Sequence, residues 1–354
     1  MYNNILLIPS LNPDRSLIDY VEKLTSAGFH RIVIVDDGSR DELKWIFTTL
    51  KEEYDCSLIT HEVNCGKGKA LKRGFAFIEE EYGACADYHG VITADSDGQH
   101  TVTDVIKLND LLDRAIEPTL FLGSRNFDLD IVPQKSKKGN KITSRVFKLL
   151  YGKYIGDTQT GLRAISREYA KEYSTLSGDR FEYEMNMLIY ATRQRHNIVE
   201  ESIETVYINN NSETHFRPFV DSVKIYRLIL GGFFKYIISS VSSVLLDQGL
   251  ANLFYFVILH EPFSSKALAR IISAVFNFTM NRKLVFESKG KVGAEAVRYL
   301  ILCVLQLIVS ATSVWALTTM FSSVKWVFAV FSLLVDAVLA LISFRIQSAW
   351  VFKK

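Results

Sequence analysis

At 354 residues, 48% of them hydrophobic and 23% charged, the chain is too long for one typical domain and implies two units. A formal net charge of +2, with no basic stripe, argues against nucleic acid as a partner. The four cysteines, Cys56, Cys65, Cys85 and Cys303, form no C-x-x-C pair, so free thiols are expected rather than a disulfide framework.

Met1-Tyr2-Asn3-Asn4-Ile5 has neither a basic n-region nor a long apolar h-region, so no cleavable signal peptide is expected and the first unit is placed in the cytosol. Residues 5–8 read as a buried strand that runs into the loop 9–12. A helix follows over about 14–27, stopped by Gly28, then a strand over 31–35 that ends in Asp36-Asp37-Gly38-Ser39. A helix near 42–53, a short strand at 56–60 and a helix over 69–81 lead to the apolar run Gly90-Val91-Ile92-Thr93-Ala94. This alternation implies a parallel doubly wound sheet, whose ligands collect at the carboxyl ends of the strands. Pro9 to Asn12, Asp36 to Ser39 and Asp95 to Gln99 mark those ends.

Asn64-Cys65-Gly66-Lys67-Gly68-Lys69-Ala70 opens the third helix, so backbone N–H groups and lysine charge can face an anion there. It lacks the P-loop spacing, and no G-x-G-x-x-G follows the first strand, which removes support for nucleotide hydrolysis and dinucleotide redox chemistry. Asp95-Ser96-Asp97-Gly98-Gln99-His100 places two carboxylates and an amide oxygen at a strand end. Hard cations such as Mg²⁺ and Mn²⁺ take oxygen ligands and are often completed by substrate phosphates, so this pattern points to a nucleotide-diphosphate site.

Beyond Phe219 the character changes. Apolar stretches near 236–259, 267–286, 299–320 and 326–344 each approach the about twenty residues that span a bilayer core, and four transmembrane helices are expected. Residues 219–230, apolar and basic at helical spacing after His215-Phe216-Arg217-Pro218, suggest an interfacial helix. Arg217, Lys224, Arg227 and Lys235 precede the first stretch. Arg282, Lys283, Lys289, Lys291 and Arg298 lie between the second and third, and Lys353 and Lys354 close the chain. The opposite loops hold Lys266 and Lys325, with Arg270 slightly inside, so the positive-inside rule puts both termini in the cytoplasm. Residues 276–286 resemble residues 342–352, 66 positions later, and residues 234–237 align with 297–300 at an offset of 63. The membrane half therefore reads as two copies of a helical hairpin in parallel orientation. Asp247, Arg270 and Asp336 fall in or at the edge of the spans. The residues leave open a structural ion pair between Arg270 and one of the aspartates, or a lipid head-group contact.

The motifs 36–39, 64–70, 95–99, Gly123-Ser124-Arg125, 157–163 and Arg180-Phe181-Glu182-Tyr183-Glu184, in that order, resemble the family 2 glycosyltransferases of GT-A fold, in their polyprenyl-phosphate branch of dolichyl-phosphate mannose or glucose synthases. The membrane half is similar to a GtrA-type domain of four helices. The resemblance implies an α/β, Rossmann-like GT-A domain over 1–218, a juxtamembrane segment over 219–232 and a membrane domain over 233–354. It implies metal ligation by Asp95, Asp97 and Gln99 to Mg²⁺ or Mn²⁺, and a donor pocket lined by Pro9, Asp36, Asp37, Lys67 and Asp95. Arg125 and Lys138 would hold the acceptor phosphate, and Asp97, Arg125, Asp157 and Gln159 would act in catalysis. Lys135, Lys137 and Lys138 stand where relatives often carry Arg, supplying charge without a bidentate fork. Pro9-Ser10-Leu11-Asn12-Pro13 also departs from the family's P-x-Y-N-E, losing an aromatic and a carboxylate that bear on donor identity.

The implied reaction is inverting transfer of a sugar from UDP-glucose, UDP-N-acetylglucosamine or GDP-mannose to undecaprenyl or dolichyl phosphate on the cytosolic face. Glu182 and Glu184 would position sugar hydroxyls or the metal. The alternatives are transfer to another lipid or glycan, and translocation of a lipid-linked sugar.

Overall fold

The computed structural model describes all residues except 1, 86, 131, 205–217, 321–326 and 354. The expectations for His215, Arg217, Lys325, Lys354 and the start of the fourth apolar stretch at Trp326 lie outside the described residues. The chain divides into two compact units, Met1–Ile229 and Leu230–Lys354.

The first unit is built on a seven-stranded sheet of order β3-β2-β1-β4-β6-β5-β7. Its strands are β1 Ile5–Ser10, β2 Ile32–Asp36, β3 Ser57–Thr60, β4 Gly90–Thr93, β5 Thr119–Arg125, β6 Arg163–Ser166 and β7 Asn197–Ile203. Its helices are α1 Ser16–Ser26, α2 Lys44–Glu53, α3 Lys67–Tyr82, α4 Val102–Asp113, α5 Gln134–Tyr151, α6 Arg167–Tyr173 and α7 Glu182–Gln194. Ile5, Leu6, Leu7 and Ile8 have no solvent exposure, as a strand covered on both faces requires. Leu6 and Ile8 join the core formed with Leu17, Val21, Leu24, Ile46 and Phe47 of α1 and α2. Leu7, on the opposite face, meets α3 at Gly74.

The sheet is mixed, not wholly parallel as the β/α alternation suggested. β1 pairs in parallel with β2 and β4, β2 with β3, and β5 with β7. β6 runs antiparallel between β4 and β5. The cause is the segment 152–162 after α5. It carries the chain back toward the carboxyl end of the sheet, where Gly161 reaches Asp95, before β6 begins.

α8, Pro218–Leu253, carries the chain from the first unit into the second without a break, so the segment 219–232 and the start of the membrane half form one helix. Its first turns belong to the first unit: the Tyr151 hydroxyl on α5 donates to the Ile229 carbonyl at 2.9 Å. The second unit continues with α9 Pro262–Met280, α10 Val292–Met320 and α11 Val327–Ile346, and with π-helical turns at Phe254–Leu259, Asn281–Val285 and Gln347–Val351.

Among the described residues three helical segments are long and apolar enough to cross a membrane, Val223–Leu259, Val292–Met320 and Val330–Val351. Four were expected, and α9 is the helix that falls short of this measure. The stretch expected at 267–286 is helical, but Ser264, Ser265, Lys266, Arg270, Ser273, Asn277 and Thr279 break up the apolar content of α9. Asp247 is buried, with Lys266 Nζ at 2.7 Å and Arg270 at 3.4 Å, whereas Asp336 accepts from the Ser310 hydroxyl at 3.2 Å.

Positions equated by the sequence repeat meet one another. Asn281 Nδ2 donates to Gln347 Oε1 at 3.0 Å, and the rings of Phe286 and Phe352 stack at 5.1 Å. Tyr236 packs on Phe344, and its counterpart Tyr299 packs on Phe278, the counterpart of Phe344. Such reciprocal contacts are those of an isologous interface.

Candidate active site

The site is assembled at the carboxyl ends of β1, β2, β4 and β5, where backbone groups leave the sheet and polar side chains can be presented. At β2, Asp36 has no solvent exposure; its Oδ1 accepts from the Ser39 N–H at 2.8 Å and its Oδ2 from Lys44 Nζ. Asp37 Oδ1 is 2.7 Å from His61 Nδ1 and accepts from the Cys65 N–H at 3.0 Å, while its Oδ2 accepts from the Gly66 N–H at 2.7 Å. These bonds clamp the segment 64–66 onto β2. Gly66, at φ +100°, has no room for a Cβ against the Asp179 carbonyl. Pro9 lies beside Val35 in the β1–β2 register, one residue from the Ser10 carbonyl that accepts from the Asp37 N–H.

That clamp places Lys67, the first residue of α3, over the end of β4. Its ammonium bridges Asp95 Oδ1 at 2.6 Å and Glu184 Oε1 at 3.0 Å, tying together α3, the β4 loop and α7. Burial opposes the charge on Lys67, yet Asp95 and then Glu184 outweigh it, so the amine holds its proton more firmly than an ordinary lysine. Burial likewise opposes ionisation of Asp95, but the Lys67 ammonium brings its carboxyl down to about 2. Desolvation, then the neighbouring Asp95 charge, pushes Asp97 above the usual range. Two carboxylates with one ammonium between them, and a third, exposed acid whose charge is disfavoured, form a place that a divalent cation would relieve. The donor atoms, carboxylate oxygens of Asp95 and Asp97 and the Gln99 amide oxygen, suit Mg²⁺ or Mn²⁺. The Gln99 N–H donates to Asp97 Oδ1 at 3.1 Å and fixes the turn.

His100, quoted in the motif without a role, proves to be part of this group. It is buried, and its Nδ1 accepts from the Asp95 N–H at 3.0 Å. Burial lowers its pKa, which keeps the ring neutral with the proton on Nε2. No signal in the sequence marks that contact.

Arg125, at the end of β5, forms a fork with Asp157: Nε to Oδ2 at 2.7 Å and Nη2 to Oδ1 at 3.2 Å. Asp157 has no solvent exposure and uses two of the five guanidinium donors. The Gln159 N–H donates to Asp157 Oδ1 at 3.0 Å, with the Gln159 side chain exposed. From α5, Asn140 bonds the Gly156 carbonyl through Nδ2 and accepts from Thr158 N–H at 3.4 Å. Lys138 is exposed on the same helix and makes no described contact with Arg125. The structure thus brings Asp95, Asp97, Gln99, Lys67 and Glu184 into one group and Arg125, Asp157 and Gln159 into a second.

Gly161 joins the two. Its carbonyl accepts from the Thr93 hydroxyl at 2.8 Å, and a Cβ there would stand 2.4 Å from Asp95 Oδ2. Beneath it Arg163, without solvent exposure, donates to the Thr160 carbonyl and to the Glu184 carbonyl, both at 3.0 Å. A buried guanidinium here acts as a strut between β6 and α7 and sets the backbone of Glu184.

Residues 6–174 match the family described as Glycosyl transferase family 2, and residues 235–352 match the GtrA/DPMS transmembrane domain. The chain is similar to the UDP-N-acetylglucosamine–dolichyl-phosphate N-acetylglucosaminyltransferase of Methanococcus voltae, with 30% identity over 64% of this chain and 94% of that protein. An uncharacterized protein of Methanocaldococcus jannaschii is 30% identical over 57% of this chain and 81% of its own length. The dolichyl-phosphate beta-glucosyltransferase of Dictyostelium discoideum is 26% identical over 67% and 73%.

Proposed function

Because the chain belongs to glycosyl transferase family 2 and carries a GtrA/DPMS transmembrane domain, we propose that this membrane glycosyltransferase moves a sugar from a nucleotide-diphosphate sugar to a polyprenyl phosphate, with inversion, at the cytosolic membrane face. N-acetylglucosamine and glucose are the sugars named in the relatives, and both are candidates here. The observation that carries the reading is the strand-end group of Asp95, Asp97, Lys67 and Glu184 set beside the Arg125–Asp157 fork. One group suits a donor diphosphate, the other an acceptor phosphate.

Asp95, Asp97 and Gln99 would hold Mg²⁺ or Mn²⁺, which when bound supplies positive charge against the departing nucleotide phosphate. Lys67 adds a second positive charge on the same carboxylate and keeps Asp95 ionised and aimed. Pro9, Asp36 and Asp37 shape the donor side; the carboxylate clamp fixes the backbone turn that leads into α3. On the acceptor side Asp157 holds the Arg125 guanidinium in one plane, and its charge would meet the acceptor phosphate there. Lys138 would add charge there. A phosphomonoester is already ionised near neutral pH, so no strong general base is required and the task of these residues is alignment. Direct displacement at the anomeric carbon then inverts its configuration.

The test offers the purified chain a panel of UDP and GDP sugars with polyprenyl phosphate and Mn²⁺ or Mg²⁺. A sugar-phosphate-lipid product is expected with a UDP sugar and is expected to vanish on chelation or when the free polyprenol replaces its phosphate. Transfer to the free alcohol at an equal rate would overturn the acceptor assignment.

Gly161 supplies a further check. With Lys67 holding Asp95 in place, the methyl of Gly161→Ala forces the carboxylate or the β6 entry to shift. A misplacement of about 1 Å costs on the order of 10²-fold in rate, and a loss of that size is expected in initial-rate assays, with the metal concentration for half-maximal rate raised. Wild-type metal dependence in that variant would remove Asp95 from the metal set.

A further inference from the structure

The second unit contains a cavity of about 360 Å³ between α8 and the end of α9, lined by Lys235, Ser239, Lys283, Leu284 and Glu287, with Met280 and Ile238 adding apolar wall. The sequence repeat provides an internal comparison. At its offsets of 63 and 66, Ser239 corresponds to Leu302, Lys283 to Ala349, Leu284 to Trp350 and Glu287 to Lys353. In the second hairpin Leu302 is buried in a cluster with Val351 and Phe352, and the Trp350 carbonyl accepts from Arg298, the counterpart of Lys235. The hairpin architecture therefore does not require this space. Ser239 in place of a leucine and Leu284 in place of a tryptophan leave room here, and Lys283 in place of an alanine adds charge.

Three features specify what would fill it. The Ser239 hydroxyl is buried with no hydrogen-bond partner among the described residues, and an unmet buried hydroxyl is unfavourable until an acceptor arrives. Lys283 is exposed and makes no ion pair among the described residues, while Lys235 lies 3.7 Å from Glu287. Two ammonium groups and one carboxylate leave one net positive charge. A phosphodiester monoanion balances that charge; a phosphomonoester, near two negative charges at neutral pH, would be repelled by Glu287.

We propose that this cavity holds one anionic phospholipid of the surrounding bilayer, its phosphodiester between Lys235 and Lys283 and hydrogen-bonded by Ser239, with the first methylenes of its chains against Met280 and Leu284. The site is separate from the sugar-transfer reading and stands without it.

The full chain, purified from nanodiscs of phosphatidylcholine containing phosphatidylglycerol, is examined by native mass spectrometry. Phosphatidylglycerol is expected to be retained in preference to phosphatidylcholine. The double variant Ser239→Leu, Leu284→Trp copies the filled hairpin and is expected to fold yet lose the preference. Lys283→Ala, copying Ala349, is expected to weaken retention about fivefold, the factor typical of one juxtamembrane lysine. Equal retention of the two phospholipids by the native chain, or undiminished retention by both variants, would overturn the proposal. Displacement of phosphatidylglycerol by an equal amount of polyprenyl phosphate would also overturn it and assign the cavity to the carrier.

Discussion

Asp97→Ala is expected to lower sugar transfer to polyprenyl phosphate by about 10²–10³-fold, the range typical for removal of one preorganised electrostatic contact to a developing charge. Asp97 is exposed, and its described hydrogen bond is with the Gln99 N–H two residues on. Its loss should therefore change stability by no more than about 0.5 kcal/mol, as for other surface substitutions. That separation makes the variant informative: the rate falls while the unfolding midpoint stays. Excess Mn²⁺ should restore part of the rate, because Asp95 and Gln99 remain. Undiminished turnover at limiting metal would exclude Asp97 as a ligand.

Asp157→Asn is expected to damage both stability and acceptor use. Asp157 has no solvent exposure and holds Arg125 through two bonds, whereas Arg125 retains 23% side-chain exposure. An amide at that position turns an N–H₂ group toward guanidinium donors and removes the countercharge. Breaking a buried pair by removing one partner costs about 3–5 kcal/mol. Partial access of water to Arg125 puts this case at the lower end, about 3 kcal/mol. In a unit of this size that lowers the unfolding midpoint by roughly 5–10 °C. With Arg125 released, the KM for polyprenyl phosphate should rise while the KM for the nucleotide sugar changes little. Equal changes in both constants would point to general loosening of the site rather than to an acceptor role.

Much of the first unit was legible because buried parallel strands announce themselves as uninterrupted apolar runs. Residues 5–8, 31–35 and 90–94 each read as strands, and each ends in a polar turn that the structure places at the carboxyl end of the sheet. β6, with the sequence Arg163-Ala164-Ile165-Ser166, offers no such run, and its reversed direction depends on the path of 152–162. A strand's direction leaves no mark in its own composition. The same limit hid Gly161 and His100. A glycine next to Leu162 shows nothing of the Asp95 carboxylate it accommodates, and a histidine one position after Gln99 shows nothing of the N–H it caps. In the membrane half, the apolar stretches and their repeat were visible, but α9 is less apolar than a spanning helix of its length and carries a serine, lysine and arginine set facing Asp247.

The sequence by itself determined the kinds of residue at the strand ends, the acidic pair and its amide neighbour, and the change to apolar helices, because these follow from local spacing and periodicity. Only the tertiary structure decided that Lys67 meets Asp95, that Arg125 is held by Asp157, and that a cavity opens beside Ser239 while its counterpart Leu302 packs on Val351 and Phe352. Those pairings join segments distant in sequence, and they exist because sheet order and helix packing bring the segments within hydrogen-bond or contact distance.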